Sequence, residues 1–205
     1  NFTSFYREPQ HYDFLLTRAL RDIAARKEAL SSRRIRAWSA AAATGEEPYS
    51  LGMTFLEYFK DPSLWDIKIL ATDISSKVLN EAFEGLYTKE QIKAVSPSLR
   101  QRYFDSEPAK KGCLYRIKDQ VKRLIVFRRL NLMDAAFPFQ GPFDFIFCRN
   151  LLIYFDLPTQ EAVIRKLLKY LEVGGYLFVG HSENLPMVFR GQVETLACAV
   201  YRKIK

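Results

Sequence analysis

An α/β domain with a doubly wound, mostly parallel sheet accounts best for this chain, for three reasons. Short apolar runs alternate with amphipathic helical stretches, the signature of β-α-β units. The runs are apolar almost throughout rather than at every second residue, which suits a sheet covered on both faces. The 205 residues, 48% of them apolar, suffice for one well-packed domain with a small insertion.

From His11 to about Ser31 apolar residues fall at Tyr12, Leu15, Leu16, Ala19, Leu20, Ile23 and Ala24, the three-and-four spacing of an amphipathic helix. IRAWSA (35–40) reads as a buried strand, followed by a helix from about Pro48 to Phe59 that Asp61-Pro62 breaks. IKILATD (67–73) is the second strand and SSKVLNEAFEG (75–85) a helix closed by Gly85. FDFIFCRN (143–150) is a strand, TQEAVIRKLLKYLEVGG a helix ending at its two glycines, and GYLFVGH (175–181) a further strand. The tail VETLACAVYRKI (193–204) alternates and suits a last, antiparallel strand.

One stretch departs from this alternation. Between Asp73 and Asn131 the chain is longer than one helix and two turns require. KKGCLYRIKDQVKRLIVFRRLNL predicts a β-hairpin leading into a strand that ends near Leu130, so residues 86–123 form a small insertion of short helices and a hairpin. Such an insertion either recognises a partner or caps a sheet edge, and both readings stay open.

Composition excludes several classes. No run of 18 apolar residues spans a membrane, and NFTSFYREPQ lacks the apolar core of a signal peptide. Three cysteines (Cys113, Cys148, Cys198) form no CxxC pair, and with only His11 and His181 no metal-ligand cluster can be drawn. A reducing, cytoplasmic setting is expected. The net charge of +8 favours acidic partners, though charge alone does not choose among nucleic acid, lipid and protein.

Ligands of open α/β sheets sit at the carboxyl ends of the strands. Four strand ends here are polar without a packing reason: the 41–47 loop, Asp73, Asn131 and Arg149-Asn150. Asp73 stands where such folds place an acid for both ribose hydroxyls, although it also suits a helix cap. The first loop carries one glycine, Gly45, and two acids, Glu46 and Glu47. Phosphate wants free N–H groups at a helix N-terminus, and two carboxylates repel it. That counts against NAD, FAD or ATP. S-adenosylmethionine reverses the sign, with a sulfonium, an ammonium and no phosphate. Glu47 then takes the ammonium and Asp73 the ribose. Thr44-x-x-Glu47 has capping-box spacing. Pro48, which prefers the first helical position, instead places Glu47 just outside the helix.

NFTSFYRE, WSAAAATGEEPYSLGM, ILATDIS, FDFIFCRNLLIYFD and GGYLFVGHSENL, in this order and spacing, resemble the catalytic domain of chemotaxis protein-glutamate O-methyltransferases, the CheR family, over essentially the whole chain. The resemblance implies a Rossmann-like S-adenosylmethionine-dependent methyltransferase fold and glutamates of chemoreceptor signalling helices as acceptors. It implies that Asn1, Thr3 and Arg7 line the donor site, that Asn131-Leu132 flank the adenine, and that Arg149-Asn150 complete the pocket. Ala41 belongs to the donor loop, and Tyr154 faces the transferring methyl. The β-insertion serves receptor docking in some members. The family's preceding helical domain is expected to be absent here. Two departures stand out, Ala43 where many members carry Ser and Tyr6 where Phe is usual; a lost hydroxyl bond costs about 1 kcal/mol.

A glutamate acceptor is already ionised at neutral pH and needs no general base, in keeping with the absence of Ser-His-Asp or Cys-His motifs. Arg7 is expected to orient a carboxylate through two parallel N–H bonds. Tyr154 is expected beside the sulfonium, unless it is simply a core aromatic. Arg149 reads as a ligand-edge residue rather than a surface ion pair, and His181 receives no catalytic role. Two rivals remain. A nucleic-acid methyltransferase on this fold uses an Asn/Asp-Pro-Pro-aromatic segment where this chain has RNLLIYF. The other is a donor-binding sensor or scaffold without chemistry.

Overall fold

The computed structural model describes residues 3–109 and 112–205. A helical segment opens the chain: α1 (Pro9–Phe14), a π-helical turn at Leu15–Ala19, and α2 (Leu20–Ala29). The predicted single amphipathic helix is thus continuous but widened mid-way, and Leu15, Ala19, Leu20 and Ile23 still all face the core. Then follow β1 (Arg34–Ser39), α3 (Glu46–Tyr58), β2 (Asp66–Asp73) and α4 (Ser76–Glu84). Ser75, not Asp73, caps α4, with its hydroxyl accepting from Val78 N–H, and Gly85 ends it.

Next come β3 (Leu86–Thr88), α5 (Pro97–Tyr103), β4 (Phe104–Pro108), β5 (Cys113–Ile117), α6 (Asp119–Lys122) and β6 (Ile125–Arg129). β3, β5 and β4 make a small antiparallel sheet, in that order. The hairpin expected from residue 110 onward is displaced: β5 pairs back with β3 and β4, and the stretch after it coils into α6. The physical reason is local. Val121 and Leu124 follow Ile117 at helical spacing, and Val121 packs fully buried against Gly52 of α3.

The last third holds β7 (Phe143–Cys148), α7 (Leu157–Tyr170), β8 (Leu171–Val179), β9 (Val193–Ala197) and β10 (Val200–Lys203). α7 stops at Tyr170, before the two glycines, because Leu171 already pairs with Phe143 in the sheet. The ladder then shifts register across Phe143 and Phe145, and Leu171 to Gly175 belong to the strand. The tail is a hairpin of two strands rather than one, turning at Ala199.

The main sheet runs β6-β2-β1-β7-β8-β10-β9. The pairs β1–β2, β1–β7, β2–β6 and β7–β8 are parallel, and β10 is antiparallel to both β8 and β9. Side chains alternate across it into two cores. Ala37, Ile69, Phe145, Phe147 and Phe178 face α1–α3, and Trp38, Ile146, Cys148, Leu177 and Val179 face α7. Strand order reverses between β1 and β7, which opens a crevice at the carboxyl ends of β1, β2 and β7. Among the described residues no helix is long and apolar enough to cross a membrane.

Candidate active site

A cleft of about 270 Å³ opens at that switch point, lined by Thr3, Arg7, Ala41, Glu47, Asp73, Arg149, Asn150 and Tyr154 among others. Eight of the residues singled out from the sequence therefore meet on one surface. Asn131 and Leu132 do not line it. Asn131 caps its own turn by accepting from Met133 N–H at 3.0 Å, and Leu132 is buried in the α7-side core. Asn1 lies outside the described residues. Ser4, Ala43, Ile74, Leu151 and Ile153 also line the cleft. They adjoin residues chosen from the sequence but carry no charge to draw attention to them.

The first loop is held from two sides. Gly45 takes φ 97°, and a side chain there would meet the Tyr87 hydroxyl at 2.8 Å and Ala82 Cβ at 2.9 Å; only glycine accepts both the angle and the contact. Tyr87 in β3 donates to Thr44 O at 2.7 Å, so the small sheet buttresses the loop. Helix α3 starts at Glu46, which corrects the expectation that Glu47 lies outside it. Pro48 is third in the helix, where its missing N–H is one of those left unbonded anyway; the first bond of the helix is Tyr49 N–H to Gly45 O at 3.0 Å. No capping box forms, and Thr44 Oγ1 donates instead to Glu46 Oε2 at 2.7 Å. The positive end of α3 thus meets two acids of its own chain, which disfavours a phosphate there.

Glu47 Oε1 accepts from Ser39 Oγ at 2.7 Å and Oε2 from Arg149 Nη1 at 3.2 Å. Burial is the dominant influence and pushes the Glu47 carboxyl up, against the pull of Arg149 and Ser39. Arg149 itself is buried, correcting nothing in its placement at the strand end but adding partners. Its Nη2 donates to Glu8 Oε2 at 3.0 Å and also to the Arg7 carbonyl, fastening the N-terminal segment across the cleft. Burial opposes the Arg149 charge, but Tyr12, Glu47 and Glu8 outweigh it and raise its pKa.

Glu8 is one participant that sequence reading missed, although it closes the first quoted motif. Its Oε1 accepts from Asn150 Nδ2 at 3.1 Å and from His181 N–H at 3.2 Å. Burial raises its carboxyl, yet the Asn150, Arg149 and His181 contacts together bring it down to about 2. Glu8 sits at φ 57° and Tyr6 at φ 52°, left-handed angles that cost roughly 1 kcal/mol or more each. Such strain is kept where surrounding contacts over-determine it. The Tyr6 ring packs edge-on against Tyr12 at 5.0 Å, and its hydroxyl finds Thr54, so the extra oxygen at this position is accommodated in the helix packing.

Asp73 Oδ2 accepts from Ala43 N–H at 3.0 Å and Oδ1 from Ser75 N–H at 2.9 Å. The helix-capping alternative for Asp73 falls, since Ser75 fills that place. Each oxygen keeps lone-pair capacity for a diol in the cleft. Because Ala43 binds through its backbone, the missing serine hydroxyl leaves this contact intact. Tyr154 is 74% exposed on the 3-10 turn after β7, which removes the core-aromatic alternative. The Cys148 thiol is buried among apolar groups and pushed up far from the thiolate range.

Glu8, His11 and His181 bring a carboxylate and two imidazoles within 4.8 Å of one another, a cluster not drawn from the sequence. Both Glu8 oxygens are engaged, and a guanidinium 3.0 Å away repels a cation. We assign no metal there. The lining is compatible with S-adenosylmethionine: a ligand in the cleft would meet the carboxylates of Glu47 and Asp73, the side chain of Arg7, and no cradle for phosphate.

Residues 1–201 match the family described as CheR methyltransferase, SAM binding domain. A probable chemotaxis protein methyltransferase of Rhizobium etli is 40% identical over 98% of this chain and 74% of its own length. The chemotaxis protein methyltransferase of Escherichia coli is 40% identical over 90% of this chain and 61% of its own length. Among solved structures, DszA carbon methyltransferase superposes with a TM-score of 0.51 at 15% identity, over 85% of this chain and 36% of that one, a likeness of fold.

Proposed function

Because the chain belongs to the CheR methyltransferase family, whose named ligand is S-adenosylmethionine, we propose that it esterifies glutamate side chains of chemoreceptor signalling helices. One observation carries this reading: Glu47 and Asp73 share a phosphate-averse cleft with Arg7, Arg149 and an exposed tyrosine. When bound, S-adenosylmethionine supplies an electrophilic methyl on a positive sulfur. Asp73 holds the ribose diol, Glu47 the ammonium, and Arg149 the donor carboxylate's side of the cleft. Asn150 and Ala41 complete the wall, and Thr3 lies over it. Asn1 keeps its assignment as a donor contact within the proposal, whereas Asn131 and Leu132, which lie outside the cleft lining, are given no donor contact.

Arg7 and Tyr154 are the catalytic residues we assign. The acceptor carboxylate attacks without losing a proton, so the protein's task is to place one of its oxygens in line behind the methyl. Arg7 can fix that oxygen by a charge-assisted N–H bond. Tyr154, standing at the rim, can contact the sulfonium face or donate to the acceptor. Esterification removes the charge of the acceptor, which weakens its contact with Arg7 and favours its departure. We take residues 86–123 as an inserted β-subdomain within a 1–205 catalytic domain. The outer edge of β4, which pairs only with β5 among the described residues, is available to a receptor tail strand. The positive charge serves acidic receptor helices rather than nucleic acid, in the cytoplasm.

The test uses methyl-labelled S-adenosylmethionine with acidic receptor helices or with RNA, followed by mild base. Label on protein that leaves as methanol is expected. Label on RNA, or base-stable label on protein, contradicts the assignment.

A further inference from the structure

In the GHSEN segment His181 already reaches Glu8 through its backbone N–H, and the acid of the segment, Glu183, has an unusual set of partners. Glu183 is 4% exposed. Its Oε2 accepts from the backbone N–H of Asn150 at 2.9 Å and from that of Gly180, and its Oε1 accepts from Ile153 N–H at 3.2 Å. All three donors are main-chain groups. Two of them bracket the turn that carries Leu151, Ile153 and Tyr154 along the cleft. Asn150 stands at φ 56°, a left-handed angle that asparagine adopts more readily than other residues with a side chain.

The approach of the two loops is close enough to need glycine. A side chain on Gly180 would meet Asn150 Nδ2 at 2.5 Å and Asn150 N at 2.9 Å. From the other side Glu8 receives the Asn150 side chain. Asn150 is therefore gripped twice, its backbone by Glu183 and its amide by Glu8.

We propose that Glu183 is a positioning residue for methyl transfer: its carboxylate clamps the Asn150–Ile153 turn to the end of β8 and so sets where Tyr154 stands over the cleft. This rests on the proposed reaction for its consequence, though not for the clamp itself. A carboxylate is suited to the task because it offers acceptor sites on both oxygens and no donor. Glutamine matches its shape but turns an N–H₂ toward at least one main-chain N–H, so one of the three bonds is lost and replaced by a repulsion.

The test is Glu183→Gln, read by amide hydrogen exchange, by calorimetric titration with S-adenosylhomocysteine and by kcat. Expected are at least tenfold faster exchange at Asn150 and Ile153, at least tenfold lower kcat, and an S-adenosylhomocysteine Kd within threefold of wild type. A merely structural role would move affinity and Tm together with kcat. If Glu183→Gln does not fold, Gly180→Ala pushes on the same turn and is read identically. Unchanged exchange at Asn150 and Ile153 overturns the clamp. Faster exchange with wild-type kcat overturns the positioning role. Faster exchange in the variant, with no transfer by the wild type, supports the clamp and counts against the assigned reaction.

Discussion

Arg149 and the acids around it set the electrostatics of the cleft, and depth decides how each acid behaves. Glu47 is sunk deepest and is pushed up; Glu8, more open, is brought down from 4.5 to about 2. Beside them His11 is buried, and burial, with Arg149 nearby, lowers it from 6.5 to about 4; Glu8 and the Cys198 carbonyl pull the other way. Both depressed groups stabilise the fold above their unfolded pKa values and lose that contribution as pH falls through the folded ones. Urea unfolding should therefore show stability declining between pH 6.5 and 4 through His11, and again between 4.5 and 2 through Glu8. Each step is on the order of 1 to 3 kcal/mol. His11→Gln should flatten the upper step. Stability that rises on acidification from 6.5 to 4 contradicts the placement of His11.

Strand β7 links the site to its support, because its two ends do different work. Its carboxyl end delivers Arg149, while Asp144 near its start is buried and accepts from Arg36 N–H of β1 at 2.9 Å. Lys27 and Arg26 of α2 pair with that same carboxylate at 2.7 and 3.4 Å. Asp144→Asn keeps the acceptor for Arg36 and removes the charge. It should cost about 1–2 kcal/mol and lower Tm by roughly 4 °C in a domain of this size, with S-adenosylhomocysteine affinity unchanged. A loss of affinity matching the loss of stability would tie α2 to the cleft and contradict this division. Most elements were legible from periodicity, since β1, β2, β7 and α4 are uniform in pattern and have clear stops. The boundary between α7 and β8 was not. Leu171-Glu172-Val173 continues the helical pattern, and only pairing of Leu171 with Phe143, a partner distant in sequence, makes it strand. The hairpin at residue 110 was displaced for another reason: alternation in Cys113–Ile117 was real, but its hairpin partner β4 precedes it and β3 lies further back still, while the stretch after it coils into α6.

For the molecule as a whole, the parallel order around β1 brings the carboxyl ends of β1, β2 and β7, at Ser39, Asp73 and Cys148, to one end of the sheet, so the cleft follows from topology. The acids of the cleft were legible because each ends an apolar run, where a charge has no packing purpose. Glu8 and Glu183 were not, since both lie in loops where acids are ordinary and their worth appears only when Asn150 is brought between them. The identity of the ligand rests on the acids outcompeting any phosphate for this edge. Calorimetric titration with S-adenosylhomocysteine, on the wild type and on Asp73→Ala with the Tm of each recorded, examines that point. The account predicts saturable binding by the wild type and a loss of at least a hundredfold in the folded variant, about 3 kcal/mol for two hydrogen bonds to a charged acceptor. Equal affinity in the two proteins, or no binding by a folded wild type, would contradict it.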